Sequence, residues 1–343
     1  MDYIGMDVHK RESQICIANP DGTYGERRID TRPERLEAVF GGRPPARILI
    51  EASTESEWVA QCLEQLGHEV IVADPNYSAM YATRSRRVKT DRRDARSLAD
   101  ACRNGTYRRA HRLSETQRRV RARLTTRDNL VRVRVRLIGV TRALLRQQGL
   151  RVRSGAPRRF GARARELTKP QWLESVLEPM LTVLDGVEQQ IQRLDRSLRE
   201  LVAGDPVVQR LVTTPGVGPV TAVAFVATLD NVERFEDARR VRAYLGLVPS
   251  ESSSAEKHHR GPITKAGNRR MRWLLIEAAW SVMGSKRPDC QSLRQWTLGI
   301  ARRRGSQVAI TALARKLAGI LYAMWRDGTE YGHEAQRQAA LSA

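Results

Sequence analysis

Short apolar runs separated by turn signals fill the first hundred residues. Tyr3–Val8 and residues 13–18 are β-type runs. Asn19-Pro20-Asp21-Gly22 is a turn signal that folds the second run back into a third, Tyr24–Asp30. Pro33–Phe40 predicts a short helix. Residues 47–50 and 70–73 are continuous apolar runs, the pattern of strands buried on both faces. Residues 55–66 predict a helix closed by Gly67, and residues 91–103 another that stops at Asn104-Gly105.

Further along, the period lengthens. Leu130, Val133, Leu137, Val140 and Leu144 follow alternating spacings of three and four. So do Leu177, Met180, Leu184, Val187, Ile191, Leu194, Leu198 and Leu201. Residues 131–136 also alternate Val and Arg, as an edge strand would, but the flanking heptad and the lack of turn residues favour helix. Two long helices joined by a basic loop, 149–169, predict a coiled coil within one chain or between two. Pro215-Gly216-Val217-Gly218 between helical segments is a helix-hairpin-helix signature. Helices follow over 239–247, 268–282 and 306–324, and the polar stretch 249–265 reads as a long irregular loop.

The predicted organisation is an α/β N-terminal domain over residues 1–110, coiled-coil helices over 111–205, a mostly α C-terminal domain over 206–330 and a tail, 331–343. The N-terminal order of three strands, then helix, strand, helix, strand, helix, is that of an RNase H-like (RuvC-like) fold.

Charge sharpens this picture. The chain has 60 Lys and Arg against 38 Asp and Glu, a formal charge of +22. Such an excess points to a polyanionic partner. Only seven of the basic residues are lysines. A GC-rich genome produces that bias, and so does bidentate phosphate or guanine contact. Residues 84–165 hold 27 basic and five acidic residues, so this segment alone carries the charge of the whole chain. A localised block suits a nucleic-acid track. Candidate contacts are Arg84, Arg86, Arg87 and Lys89, then Arg132, Arg134 and Arg136 on the first long helix. Gly216 and Gly218 would let a turn approach phosphate. Lys257, Arg260, Lys265, Asn268 and Arg269 form a basic, glycine-bearing lead into a helix.

Four widely spaced cysteines with no Cys-x-x-Cys pair argue against a zinc site or a disulfide framework. Asp2 and Asp7 interrupt any signal peptide, and no apolar run approaches the ~20 residues of a membrane span. A cytoplasmic, nucleoid-associated protein without membrane contact is expected.

The chemistry centres on carboxylates. Asp7 lies on the first strand, and Glu51 ends the apolar run Ile48-Leu49-Ile50. Asp91 and Asp94 stand at i, i+3 on one helix face. Carboxylates so gathered repel one another unless cations sit between them. A pair of Mg²⁺ ions held this way does phosphoryl chemistry on nucleic acid. The bland alternative makes Asp91 a helix N-cap and pairs Asp94 with an arginine such as Arg87. Residues 250–261 contain a serine cluster, on composition a linker. A serine hydroxyl beside cations and a bound phosphate can also attack phosphorus. The adjacent His258 and His259 point apart and make a poor metal pair.

Several motifs, taken in order, carry a resemblance. They are Ile4-Gly5-Met6-Asp7, Ile50-Glu51-Ala52, Lys89-Thr90-Asp91-Arg92-Arg93-Asp94-Ala95, Pro215-Gly216-Val217-Gly218, Tyr244-Leu245-Gly246-Leu247-Val248-Pro249, Ile263-Thr264-Lys265-Ala266-Gly267-Asn268 and Ala314-Arg315-Lys316-Leu317-Ala318. The chain resembles, nearly end to end, the insertion-sequence transposases related to the Piv DNA invertase, a family that includes bridge-RNA-guided recombinases. The resemblance implies a RuvC-like DEDD domain with Asp7, Glu51, Asp91 and Asp94 as Mg²⁺ ligands, a coiled coil, and a C-terminal domain whose serine nucleophile falls on Ser254, with Ser253 its nearest rival. It also implies DNA partners at element ends and target, an element-encoded noncoding RNA, and a homo-oligomer, dimer to tetramer. Two departures stand out. Ala255 replaces the glycine usual after the serine, which leaves its address open by one residue. Ser53-Thr54 replaces a glycine usual after the Glu, and touches no ligand. A site-specific recombinase competes with a hydrolytic RuvC-like nuclease, such as a Holliday-junction resolvase, and with a non-catalytic nucleic-acid-binding protein.

Overall fold

A computed structural model of the chain describes residues 1–19, 21–81, 90–254 and 257–332, without the side chains of residues 252–260. The chain forms two compact units, Met1–Leu113 and Ser114–Ala343.

The first unit runs β1 (Tyr3–Val8), β2 (Glu12–Ala18), β3 (Tyr24–Asp30), α1 (Pro33–Phe40), β4 (Arg47–Glu51), α2 (Ser56–Gln65), β5 (Glu69–Ala73) and α3 (Asp91–Asn104). Its sheet has the order β3-β2-β1-β4-β5. The first three strands are an antiparallel meander, and β4 and β5 run parallel to β1. Alternation along the strands builds two faces. Ile4, Met6, Ile48, Ile50, Val70 and Val72 pack with Leu36 and Phe40 of α1 and Val59 and Leu63 of α2. Leu49 and Ile71 pack with Leu98, Ala101 and Cys102 of α3 on the other side.

That second face depends on one glycine. A Cβ at Gly5 would lie 2.1 Å from the backbone nitrogen of Ala99 and 2.2 Å from the carbonyl oxygen of Ala95. Helix α3 therefore rests on the bare backbone of β1.

The second unit contains α4 (Glu115–Gln147), α5 (Phe160–Arg165), α6 (Gln171–Gly204), α7 (Pro206–Leu211), α8 (Pro219–Leu229), α9 (Ala238–Tyr244), β6 (Pro249–Ser254), β7 (Lys257–Ile263), α10 (Arg269–Gly284), α11 (Gln291–Arg304) and α12 (Ser306–Asp327). Its main core joins α8, α10 and α12.

Helices α4 and α6 pair antiparallel, but the seam is not the expected heptad. The buried stripe of α4 is Val120, Leu124, Ile138, Thr141 and Leu145, one residue round from Leu130, Val133, Leu137, Val140 and Leu144. Val133 and Val140 are left 42% and 43% exposed. On α6, Leu177, Leu184, Ile191 and Leu198 are buried as expected, while Leu181 and Glu188 take the places assigned to Met180 and Val187. Charge explains the rotation. Arg127 Nε meets Asp195 Oδ1 at 2.5 Å, and Arg134 Nη1 meets Glu188 Oε2 at 3.2 Å. The seam is the stripe whose cations face acids across it, and apolar spacing alone does not distinguish it from its neighbour.

Two further expectations are corrected. Residues 249–265 are not an irregular loop: β6 and β7 form an antiparallel hairpin there. Helix α12, at 22 residues, is long and apolar enough by composition to cross a bilayer, but 67% of its most apolar window is buried inside the protein. Helix α11 has no counterpart among the predicted elements, because only Leu293 and Thr297 of its residues are buried and most of its faces are polar.

Because backbone on both sides blocks a Cβ at position 5, Gly5→Ala is expected to lower the stability of the first unit by about 3 kcal/mol, the upper range of overpacking costs. Urea denaturation checks this; an unchanged midpoint would contradict the packing described.

Candidate active site

The ladder places the first two carboxylates. Met6 of β1 is in register with Ile50 of β4, so Asp7 and Glu51 follow side by side at the ends of parallel strands. Asp7 lies two residues beyond Gly5, on the face that α3 covers. Helix α3 starts at Asp91, and its N-cap is Thr90, whose hydroxyl accepts from the Arg93 N–H at 3.3 Å. Asp91 is thus not the cap. Asp94, buried in the first turn, precedes Ala95, whose carbonyl touches Gly5. One contact between backbones carries the helical pair to the strand pair.

The electrostatics report that convergence. Burial pushes the Asp7 carboxyl up from 3.8 to about 6; His9 opposes the shift, and the charges of Asp94, Asp91 and Glu51 add to it. All four carboxylates therefore share one field. His9 Nε2 lies 3.2 Å from Asp7 Oδ2 and 3.4 Å from Asp91 Oδ1. Ligand atoms of these three residues lie within 4.8 Å of one another. The Tyr81 hydroxyl donates to Glu51 Oε2. Burial, reinforced by Glu51, holds that phenol well above its ordinary range. An oxygen-rich set of carboxylates suits a hard divalent cation, and the neighbouring imidazole adds a nitrogen donor.

The serine cluster sits on the β6–β7 hairpin. Ser254 pairs with Lys257 at the last register position before the tip, and Ser253 pairs with His258. The hairpin base is interlocked. The Thr264 and Lys265 N–H groups donate to the carbonyls of Val248 and Gly246 at 2.9 and 3.1 Å. Gly246 and Gly267 have φ of 66° and 69°. A Cβ on Gly267 would come within 2.0 Å of the Tyr244 carbonyl oxygen. Arg272, reaching from α10 and 9% exposed, donates through Nη1 to the carbonyls of Leu245 and Gly267, each at 3.2 Å, and to that of Ala266. A buried guanidinium spent on three carbonyls clamps both approaches to the hairpin.

Known proteins match this sequence over nearly its whole length. Residues 4–149 match a transposase family model of the DEDD type found in IS110, and residues 208–295 match the model described as Transposase IS116/IS110/IS902 family. A putative transposase y4pF/y4sB of Sinorhizobium fredii is 30% identical, over 99% of this chain and 87% of its own. A probable family 20 transposase of Pseudomonas aeruginosa is 29% identical, over 96% and 98%. The transposase for insertion sequence element IS1111A of Coxiella burnetii is 27% identical, over 94% and 88%. The chain belongs to the IS110/IS116/IS902 transposase family. It is an enzyme that cuts and rejoins DNA.

The candidate phosphate contacts of the transposase fall into distinct situations. Arg84, Arg86, Arg87 and Lys89 lie outside the described residues, as do the side chains of Ser254, Lys257 and Arg260. Arg132 and Arg136 are exposed on α4, whereas Arg134 turns into the seam against Glu188. Gly216 is required by packing: a Cβ there would lie 2.5 Å from the Ala278 carbonyl oxygen of α10. Gly218, the N-cap of α8, has open space beside it. Asn268 caps α10 by accepting from the Met271 N–H at 3.0 Å, while Lys265 and Arg269 on either side are exposed.

Sequence reasoning missed His9, Tyr81 and Arg272. His9 had a signal, since it lies two residues after Asp7 on an extended segment. The other two had none, because their partners are distant in sequence.

The raised Asp7 carboxyl sets a pH dependence. The folded form takes up a proton near pH 6, the unfolded form only near 3.8. The stability this group contributes is therefore present at low pH and lost as pH rises through about 6. In chelator-treated protein, the stability of wild type minus that of Asp7→Asn is expected to fall by up to ~3 kcal/mol between pH 4 and 7. Denaturant titrations across pH measure it. A difference that does not vary with pH would refute the clustering.

Proposed function

We propose that the transposase recombines element-end and target DNA through a transient phosphoserine link, with Ser254 as nucleophile. Asp7, Glu51, Asp91 and Asp94 act as the ligand set for divalent metal, two Mg²⁺ ions. The observation that carries this reading is the gathering of Asp7, His9 and Asp91 ligand atoms within 4.8 Å of one another, with the charges of Asp94, Asp91 and Glu51 reaching Asp7, in a segment matched by a DEDD transposase model. The sheet order β3-β2-β1-β4-β5 supports an RNase H-like (RuvC-like) first unit. The antiparallel pairing of α4 with α6 supports a coiled coil, and the turn between α7 and α8 supports a helix-hairpin-helix.

In this mechanism the Ser254 hydroxyl attacks the scissile phosphorus. The serine O–P bond forms as the bond to the leaving deoxyribose oxygen breaks, and that oxygen ends as a hydroxyl carrying the proton the serine gives up. Rejoining reverses the exchange with a hydroxyl from another strand, and the serine recovers its proton. The phosphodiester energy is conserved in the ester, so no external energy source is needed. Bound Mg²⁺ supplies charge neutralisation at the phosphoryl oxygens. Asp7, Glu51, Asp91 and Asp94 hold that charge at the strand ends. Arg272 fixes the base of the hairpin on which Ser254 lies.

An element-encoded noncoding RNA pairs with donor and target DNA in this reading. The basic segment 84–165 supplies the phosphate contacts for RNA and DNA backbones. A homo-oligomer, dimer to tetramer, joined through the long helices accounts for the apolar residues Val133, Val135 and Val140 left exposed on α4.

The test is a trapping assay with Mg²⁺, labelled element-end DNA and the element's transcript. A protein–DNA adduct stable to denaturation is expected in wild type and Ser253→Ala, and its loss in Ser254→Ala. An adduct lost only in Ser253→Ala moves the nucleophile by one residue. Cleavage without adduct, indifferent to Ser254→Ala, means that water attacks and the serine route is wrong. Asp7→Ala is expected to lower strand cleavage at least ~100-fold, since metal-held charge is worth several kcal/mol.

A further inference from the structure

One side chain of the first unit stands among the carboxylates without belonging to the set of four. Residues two apart on an extended segment share a face, so His9, just past the end of β1, follows Asp7 towards α3. The backbone at His9 is tied down, because its N–H donates to the Glu12 carbonyl at 3.2 Å across the turn into β2. The imidazole is 54% exposed. Its place is therefore set by that turn and by the two carboxylates it meets rather than by core packing. Nε2 stands 3.2 Å from Asp7 Oδ2 and 3.4 Å from Asp91 Oδ1.

These separations are those of ligands that share one ion. Two donors at right angles, each ~2.1 Å from a metal, stand ~3 Å apart. A cleft of about 280 Å³ opens beside His9 and Asp91, lined also by Lys10, Arg11, Gln14 and Arg28. It gives an ion the entry path that a metal site needs. It also leaves room for a water or a phosphoryl oxygen at the remaining coordination positions. The type of donor then bears on which ion is held. Carboxylate and water oxygens suit Mg²⁺, whereas an imidazole nitrogen favours first-row transition ions.

We propose that His9 Nε2 is a direct metal ligand together with Asp7 and Asp91, and that this position takes a first-row transition ion such as Mn²⁺ in preference to Mg²⁺. The inference rests on the carboxylate metal centre proposed above, and adds to it a nitrogen ligand and an ion preference. An imidazole that only neutralised the carboxylates from outside the coordination sphere would supply neither.

The test uses the full-length protein, freed of metal by chelation and then loaded with Mn²⁺. Pulsed electron paramagnetic resonance is expected to show nitrogen hyperfine coupling to the bound ion in wild type, and none in His9→Ala. In competition titrations, the preference for Mn²⁺ over Mg²⁺ is expected to fall at least ~10-fold in His9→Ala, since loss of even an outer partner of a ligand costs that much affinity. The half-exposed position of His9 lets the variant fold, and circular dichroism checks that it has. Bound Mn²⁺ without nitrogen coupling in wild type, or coupling retained in His9→Ala, would overturn the proposal and leave the carboxylate centre standing. No Mn²⁺ bound by wild type, or binding unaffected by Asp7→Asn, would overturn both.

Discussion

Where β1 meets α3, the backbone of Gly5 touches the backbone of Ala95 and Ala99, and most of the candidate metal site follows from that contact. It fixes the depth of α3 on the sheet. It brings the first turn of α3, with Asp91 and Asp94, beside the strand ends that carry Asp7 and Glu51. The same closeness buries Asp7 and crowds it with negative charge, so its carboxyl rises to about 6. The fold thus stores electrostatic repulsion where a divalent cation would relieve it. Stability and chemistry are opposed in this cluster: the arrangement that suits a metal is costly to hold without one.

The second unit solves a related problem with arginine. Its hairpin has little apolar content of its own. Interlocked glycines at 246 and 267 and the buried Arg272 guanidinium fix its base instead. Elsewhere Arg127 and Arg134 choose the seam between α4 and α6. Arg270 pairs with Asp128 of α4. In the first unit Arg112 ties Glu57 to Glu64. A good part of the positive charge is therefore structural, so net charge overstates the nucleic-acid surface.

What could be read in advance follows from how far each signal reaches along the chain. The strands and helices of the first unit were legible because each carries its own period and punctuation, and Asp7, Glu51, Asp91 and Asp94 were legible because they end or begin those elements. The α4–α6 seam was misplaced by one residue: α4 carries two adjacent stripes, and only acids on a distant helix select between them. The β6–β7 hairpin carries no local signal, because its serines and histidines lack apolar alternation and Arg272, which clamps its base, lies outside it. Gly216 reads as a phosphate-facing glycine in sequence, but α10, some sixty residues later, is what its missing side chain accommodates. Tyr81 on Glu51 and Arg242 on Gly319 are likewise long-range pairings that no local pattern announces.

Anomalous diffraction from crystals grown with Mn²⁺ tests most directly whether the four carboxylates form a single metal centre. The account predicts anomalous peaks among Asp7, Glu51, Asp91 and Asp94, absent in Asp7→Asn. Peaks confined to other parts of the protein, or none in wild type at saturating Mn²⁺, would contradict it.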